Sequence, residues 1–237
     1  MGHGSAIVVD IGKTLGKVTL WSRDGRLLDR QVRLDALGKY RCEPVETIVP
    51  VGHGAGVVAL NGDAVAFAPL DYEQPIPEAV VTEYRRHRDP FAMTGSPPLP
   101  DGLNLGAQLF WLERLYPQQM AQAVLLPWAQ YWAWFLTGRA VSEVTSLGCH
   151  SDLWSPARRG SSPMAERLGW ARRFAPLAAA GEKIGTLRPE FAEATGLPGK
   201  AKVLAGVHDS NAALLAARGF PEIAANEATV LSTGTWF

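Results

Sequence analysis

The chain has 237 residues, 47% of them hydrophobic and 19% charged, enough to bury one large core or two modest ones and unlike a disordered polymer. Its 23 basic and 23 acidic side chains cancel, so no global field draws it to nucleic acid or to anionic lipid, and neither is an expected partner. Cys42 and Cys149 stand far apart with no metal-ligand spacing around them, which argues against a disulfide framework or structural zinc and fits a reducing cytoplasm.

Residues Met1 to Ala6 carry neither a basic nor a long apolar leader region and read as an ordinary tail. Then β-rich runs alternate with turn signals. Ala6 to Ile11 is followed by a Gly-x-x-x-Gly loop and Val18 to Trp21, and Asp24-Gly25 predicts a hairpin into Leu27 to Arg33. Glu46 to Val51 leads to Gly52-His53-Gly54, and Val57 to Leu60 turns at Asn61-Gly62 into Ala64 to Phe67. Apolar residues at helical spacing predict helices over Leu103 to Tyr116 and Gln118 to Leu136, the second closed by Thr137-Gly138. Its most apolar part, Val124 to Leu136, is interrupted by Pro127 and Gln130 and falls short of the ~20 residues a membrane span needs, so it reads as a core helix. Trp111, Trp128, Trp132 and Trp134 are expected in the core rather than on a ligand platform. A further helix is predicted over Met164 to Ala180, a strand over Ala201 to Ala205, a helix over Asn211 to Arg218 and a closing strand over Ala228 to Leu231.

Three loops have residues suited to chemistry. In the first, Gly12 and Gly16 let backbone N–H groups approach an anion, Thr14 offers a hydroxyl, Lys13 and Lys17 offer charge, and Asp10 is placed to face a hydrated magnesium ion. A hairpin turn with solvated lysines would have the same composition. In the second, Asp209 stands between a strand and a helix, where a carboxylate can take a hydroxyl proton or simply cap the helix. Next to it His208 is expected near a substrate. The third, Ser232-Thr233-Gly234-Thr235, is a hydroxyl-rich turn able to bond phosphate oxygens, as many such turns could.

Together, in this order and at these separations, the loops resemble the FGGY carbohydrate kinase family. Asp10-Ile-Gly-Lys-Thr is similar to its first phosphate loop, with Lys13 in place of a threonine, Lys17 in place of an arginine and Leu15 where a small polar residue is usual. Gly206-Val-His-Asp-Ser-Asn-Ala212 resembles the segment bearing the catalytic base, which falls on Asp209, and residues 232–236 resemble the second phosphate loop. Leu70-Asp-Tyr-Glu73, the Gly102 to Gln108 segment, Gln130-Tyr131 and the Glu143 to His150 segment are similar to a bacterial subgroup associated with L-rhamnulose and L-fuculose.

The resemblance implies an α/β, ribonuclease H-like (actin-like ATPase) fold with a mixed five-stranded sheet and flanking helices. Residues 1–237 would be the N-terminal, sugar-binding domain, the C-terminal nucleotide-binding domain being absent from the chain. ATP and Mg2+ are the implied cofactors, held by Asp10, Gly12, Lys13, Thr14, Lys17, Ser232, Thr233, Gly234 and Thr235, with Asp10 toward the metal. His53, Asp71, Glu73, Asn104, Gln130, His208 and Asn211 are the implied sugar contacts. The implied activity is phosphorylation of a ketose hydroxyl by the intact enzyme. Two rivals stay open: a noncatalytic sugar-binding or interaction fragment, and a different actin-like ATPase. Apolar surface left where a second domain would sit is expected to allow a homodimer. The stretch from Arg30 to Val45 is shorter than the family pattern.

Overall fold

The computed structural model describes residues 4–231. The chain starts as an antiparallel meander, β1 (Ser5–Ile11), β2 (Gly16–Trp21) and β3 (Leu27–Gln31). Gly25 adopts φ +84° in the turn between β2 and β3, where the predicted Asp24-Gly25 hairpin falls. A 3-10 helix over Leu34–Tyr40 fills the short connection to β4 (Val45–Gly52), which pairs parallel with β1. β5 (Val57–Asn61) and β6 (Ala64–Val65) form the next hairpin. Helices α1 (Glu78–His87), α2 (Phe91–Thr94), α3 (Leu105–Leu115) and α4 (Pro117–Gln122) follow. β7 (Val124–Pro127) then pairs antiparallel with β5 and runs directly into α5 (Trp128–Thr137).

The single helix expected over Gln118 to Leu136 is therefore two helices with a strand between them. Pro127 lacks the N–H that a helix interior needs, and Val124, Leu125 and Leu126 pair with β5 instead, the two leucines buried. Gly138 closes α5 at φ +80°, as Thr137-Gly138 predicted.

After α6 (Val144–Gly148) and a small hairpin, β8 (Trp154–Ser155) with β9 (Gly160–Ser161), α7 covers only Pro163–Arg167 of the expected Met164 to Ala180 helix. Gly169 at φ +73° breaks it, and the chain beyond bridges to Leu125 and Ser142. β10 (Lys183–Thr186), α8 (Pro189–Thr195), β11 (Lys202–Leu204), β12 (Val207–His208), α9 (Asp209–Ala217) and α10 (Pro221–Ala224) complete the order. Ala228 to Leu231, expected as a strand, has no regular structure.

The main sheet is mixed and has seven strands rather than the five expected. Its path is β10-β11-β4-β1-β2-β3, with β12 also paired to β4. The excess over five has two sources. β10 adds an antiparallel edge to β11, and the strand beside β4 is interrupted between Leu204 and Val207. The interruption is at Gly206, whose φ of +85° few other residues accept and where a Cβ would lie 2.5 Å from Pro50 O.

Ile7, Val9, Ile11, Val18, Ile48 and Val203 form the sheet's share of one core, closed by Leu136 of α5 and by Leu187 and Leu197 around α8. A second core joins β5 and β7 to α1, α3 and the Met164 to Trp170 segment. Among the described residues no helix is long and apolar enough to cross a membrane.

Candidate active site

Strands β1, β4 and β12 run parallel and finish together, with Ile11 and His208 each paired to Gly52. At a strand spacing of about 4.8 Å this puts Ile11 and His208 roughly 10 Å apart across Gly52. The first loop, the Gly52-His53-Gly54 turn and Asp209 therefore emerge side by side from the carboxyl edge of parallel strands, where open α/β sheets commonly bind ligands.

Between the first loop, the Gly52-His53-Gly54 turn and the segment at Leu70 to Tyr72 is a cavity of about 240 Å³ lined by Gly12, Lys13, His53, Leu70, Tyr72 and Trp128 among others. His53 forms part of its wall. The ring stacks on Trp128 at 5.4 Å and meets Tyr72 edge-on at 5.2 Å. Burial pushes its pKa down to about 4, and the charges of Asp209, Lys13 and Asp71 all act on it, as does neighbouring His208. His53 Nδ1 is buried without a hydrogen-bond partner, an arrangement that usually marks a place for a water or a ligand group.

Trp128 corrects the expectation that it belongs only to the core. It starts α5 at the strand edge, its Nε1 donates to Ile11 O at 3.2 Å, and its ring forms a wall of the cavity. Tyr72 and Trp128 are the site residues that sequence reasoning missed. For Trp128 the closely spaced glycines at 52 and 56 were the available signal, since they allow its ring and that of His53 to pack directly on the turn.

In the first loop Gly12 N–H donates to Leu15 O at 3.2 Å, closing a tight turn. Lys17 Nζ is 3.3 Å from Asp10 Oδ2. Thr14 is exposed. Lys13 reaches across the cavity mouth to ion-pair with Asp71, lies 3.5 Å from Glu73 and sits over the Tyr72 ring at 4.9 Å. The bond to Asp71 raises the Lys13 pKa and lowers that of Asp71. Asp71 and Glu73 thus meet the phosphate-type loop at the cavity. Asp71 also accepts from Glu73 N–H at 3.0 Å, which holds their turn.

Asp209 is the first residue of α9, not its cap. The cap is His208, and the Asp209 carboxylate, 39% exposed, accepts from Ser210 N–H and Oγ. His208 is buried beside it, with Asn211 Oδ1 3.2 Å from its Nδ1.

Asn104 and Gln130 stand apart from this group. Asn104 Oδ1 accepts from Leu99 N–H, and its Nδ2 donates toward Ser96 Oγ, Pro97 O and His150 O, so its donors are committed to joining three chain segments. Gln130 is fully buried, donates to Ala205 O at 3.2 Å and ties α5 to the interrupted strand, while its Oε1 has no partner. Ser232, Thr233, Gly234 and Thr235 lie outside the described residues.

The donors of the first loop fit a phosphate, and the single carboxylate of Asp10 fits an ion such as magnesium that keeps most of its waters. Among the described residues no cluster of three or more His, Cys, Asp or Glu side chains could hold a metal by itself.

No protein-family model matches the chain. A carbohydrate kinase from Novosphingobium aromaticivorans of solved structure is 64% identical over the whole of this chain, with a TM-score of 0.95, and the chain covers 56% of it. An L-fuculokinase from Escherichia coli (strain K12) is 34% identical over 137 residues, which are 54% of this chain and 27% of that protein. A xylulose kinase from Lactobacillus acidophilus shares the fold at 14% identity, with a TM-score of 0.73 over 88% of this chain and 49% of its own. The chain thus spans only part of the length of the relatives it matches.

Proposed function

We propose that this chain, a domain of the FGGY carbohydrate kinase family, holds the sugar, the proton acceptor and the first phosphate loop for ATP-dependent phosphorylation of a ketose. What carries the reading is the convergence of the Asp10 loop, the His53 cavity and Asp209 at the ends of three adjacent strands. Fold alone would not specify an activity; the residues gathered at this edge are what support the reading.

A ketose presents hydroxyls on a partly apolar ring or chain. The stacked His53 and Trp128 and the edge of Tyr72 supply apolar walls, and His53 Nδ1, Asp71 and Glu73 supply polar contacts. Asp209 is exposed enough to meet a hydroxyl at the cavity and takes its proton as the oxygen attacks phosphorus. Lys13, Thr14, Lys17 and residues 232–235 steady phosphate charge, and Asp10 would hold the metal's water shell. ATP with Mg2+ supplies the phosphoryl group and neutralises its charge when bound. The residues of this chain do the positioning, and the remaining length of the related kinases lies outside it. L-Fuculose is the first substrate to test because of the L-fuculokinase match, and L-rhamnulose the second.

Calorimetry tests the sugar site directly. Titrating L-fuculose, L-rhamnulose and D-xylulose into the chain should give binding to at least one ketose, weakened at least about tenfold in His53→Phe. ATP binding with no ketose binding would instead favour another actin-like ATPase. Fusing the chain to the remainder of the Novosphingobium aromaticivorans kinase tests catalysis. The fusion should phosphorylate the bound ketose, and Asp209→Asn should lower kcat at least about a hundredfold with little change in sugar affinity. Ketose binding by a fusion that never turns over would favour a noncatalytic role.

A further inference from the structure

The histidine preceding Asp209 has both ring nitrogens engaged. His208 Nε2 lies 3.1 Å from Cys149 Sγ and 3.3 Å from Asp209 Oδ1, and its Nδ1 lies 3.2 Å from Asn211 Oδ1. An amide oxygen only accepts, so the hydrogen of the neutral ring belongs on Nδ1 and Nε2 presents a lone pair. Two groups face that lone pair. A carboxylate has no hydrogen to offer it, whereas the thiol does. Cys149 stays protonated at neutral pH, because burial and then the charge of Asp209 push its pKa up to about 12.

The surroundings hold the contact in place. A Cβ on Gly54 would come within 2.5 Å of Cys149 Sγ and 2.7 Å of His208 Nε2, so the turn closes directly over the pair. From the α6 side Cys149 and His150 face the ring, from the turn after β4 His53 does, and from α9 Asp209 and Asn211 do. Of these, Asp209 alone carries a negative charge; burial and the neighbouring histidines oppose protonation of His208. An imidazolium at this position would pair with Asp209 and compete for the lone pairs that take the substrate's proton.

We propose that Cys149 is a positioning residue whose thiol donates to His208 Nε2, keeps that imidazole neutral and so leaves the Asp209 carboxylate unpaired as the proton acceptor. The hydrogen-bond arrangement stands on the geometry alone; the role given to Asp209 rests on the kinase reading above.

Long-range nitrogen–proton NMR on the histidine-labelled chain tests it, with His208→Asn used to identify the His208 signals. The wild-type ring should be the neutral tautomer with hydrogen on Nδ1, titrating below 6.5. Cys149→Ala removes one hydrogen bond to the neutral form and should raise the midpoint by about one pH unit. Cys149→Ser, which keeps a donor, should restore it. Hydrogen on Nε2 in the wild type, or three superimposable titrations, would overturn the proposal. In the kinase fusion the acid limb of kcat should move upward with the His208 midpoint in Cys149→Ala, with KM unchanged. A limb that stays put while the midpoint moves would overturn the link to Asp209. A fusion without turnover, alongside the expected titrations, would fault the kinase reading and not the hydrogen bond.

Discussion

His53 ties the stability of the fold to pH in a direction that can be checked. Its ring is buried in the candidate site, and that burial lowers its pKa from 6.5 to about 4. The unfolded chain therefore binds a proton in a range where the folded chain does not. Stability from this group is complete above pH 6.5 and is lost as pH falls toward 4. At 1.36 kcal/mol per unit the loss across that window is roughly 3 kcal/mol. His53→Phe keeps an aromatic ring against Trp128 and Tyr72 and removes the titration. It also removes the unpartnered Nδ1, whose burial costs about 1 kcal/mol or more. Urea unfolding at pH 7.5, 6.5, 5.5 and 4.5 should show the variant at least as stable as wild type at pH 7.5, with the two diverging by roughly 3 kcal/mol by the acid end. His208 acts on His53 less than burial does, so the difference reports chiefly the burial of His53. Parallel stability curves would mean that the ring is not held neutral by burial, and the account of the cavity would fail with it.

Asn104→Ala should destabilise the chain by about 2–3 kcal/mol, since it strands part-buried backbone groups at Leu99, Pro97 and His150 and the buried Ser96 hydroxyl, while leaving ketose affinity unchanged in calorimetry. Asp152 is buried and accepts from both Arg88 and Tyr84, so Asp152→Ala should cost about 3–5 kcal/mol in urea unfolding by leaving a guanidinium unpaired. Gly206→Ala forces a Cβ onto Pro50 O at a positive φ and should cost more than about 2 kcal/mol. Lys13→Met breaks an exposed ion pair with Asp71 and should change stability by less than about 1 kcal/mol.

Much of the architecture was legible because it follows from local rules. β-rich runs bounded by turn signals marked β1, β2 and β4, Asp24-Gly25 marked a hairpin, and Gly138 marked a helix end. The errors occur where tertiary pairing overrode local pattern. Val124 to Pro127 carries residues that suit a helix or a strand, and the partner strand β5 decided between them. β10 was not anticipated, because Lys183-Ile-Gly-Thr is too short to announce itself and exists only as an edge to β11. α1 and α8 were not anticipated either, both starting beside a proline.

The candidate site divides the same way. Asp10, Lys13, Thr14, Lys17, His208 and Asp209 were visible in the chain because glycine-rich turns and acid–base side chains are local features, readable without knowing what lies across from them. That Lys13 bridges to Asp71, that Trp128 walls the cavity as well as packing on the core, that Asn104 joins separate chain segments and that Cys149 touches His208 are relations between residues far apart in sequence. No spacing rule contains them. They depend on β4 lying between β1 and β12, a pairing that sets three loops from distant parts of the chain about one strand apart from the next.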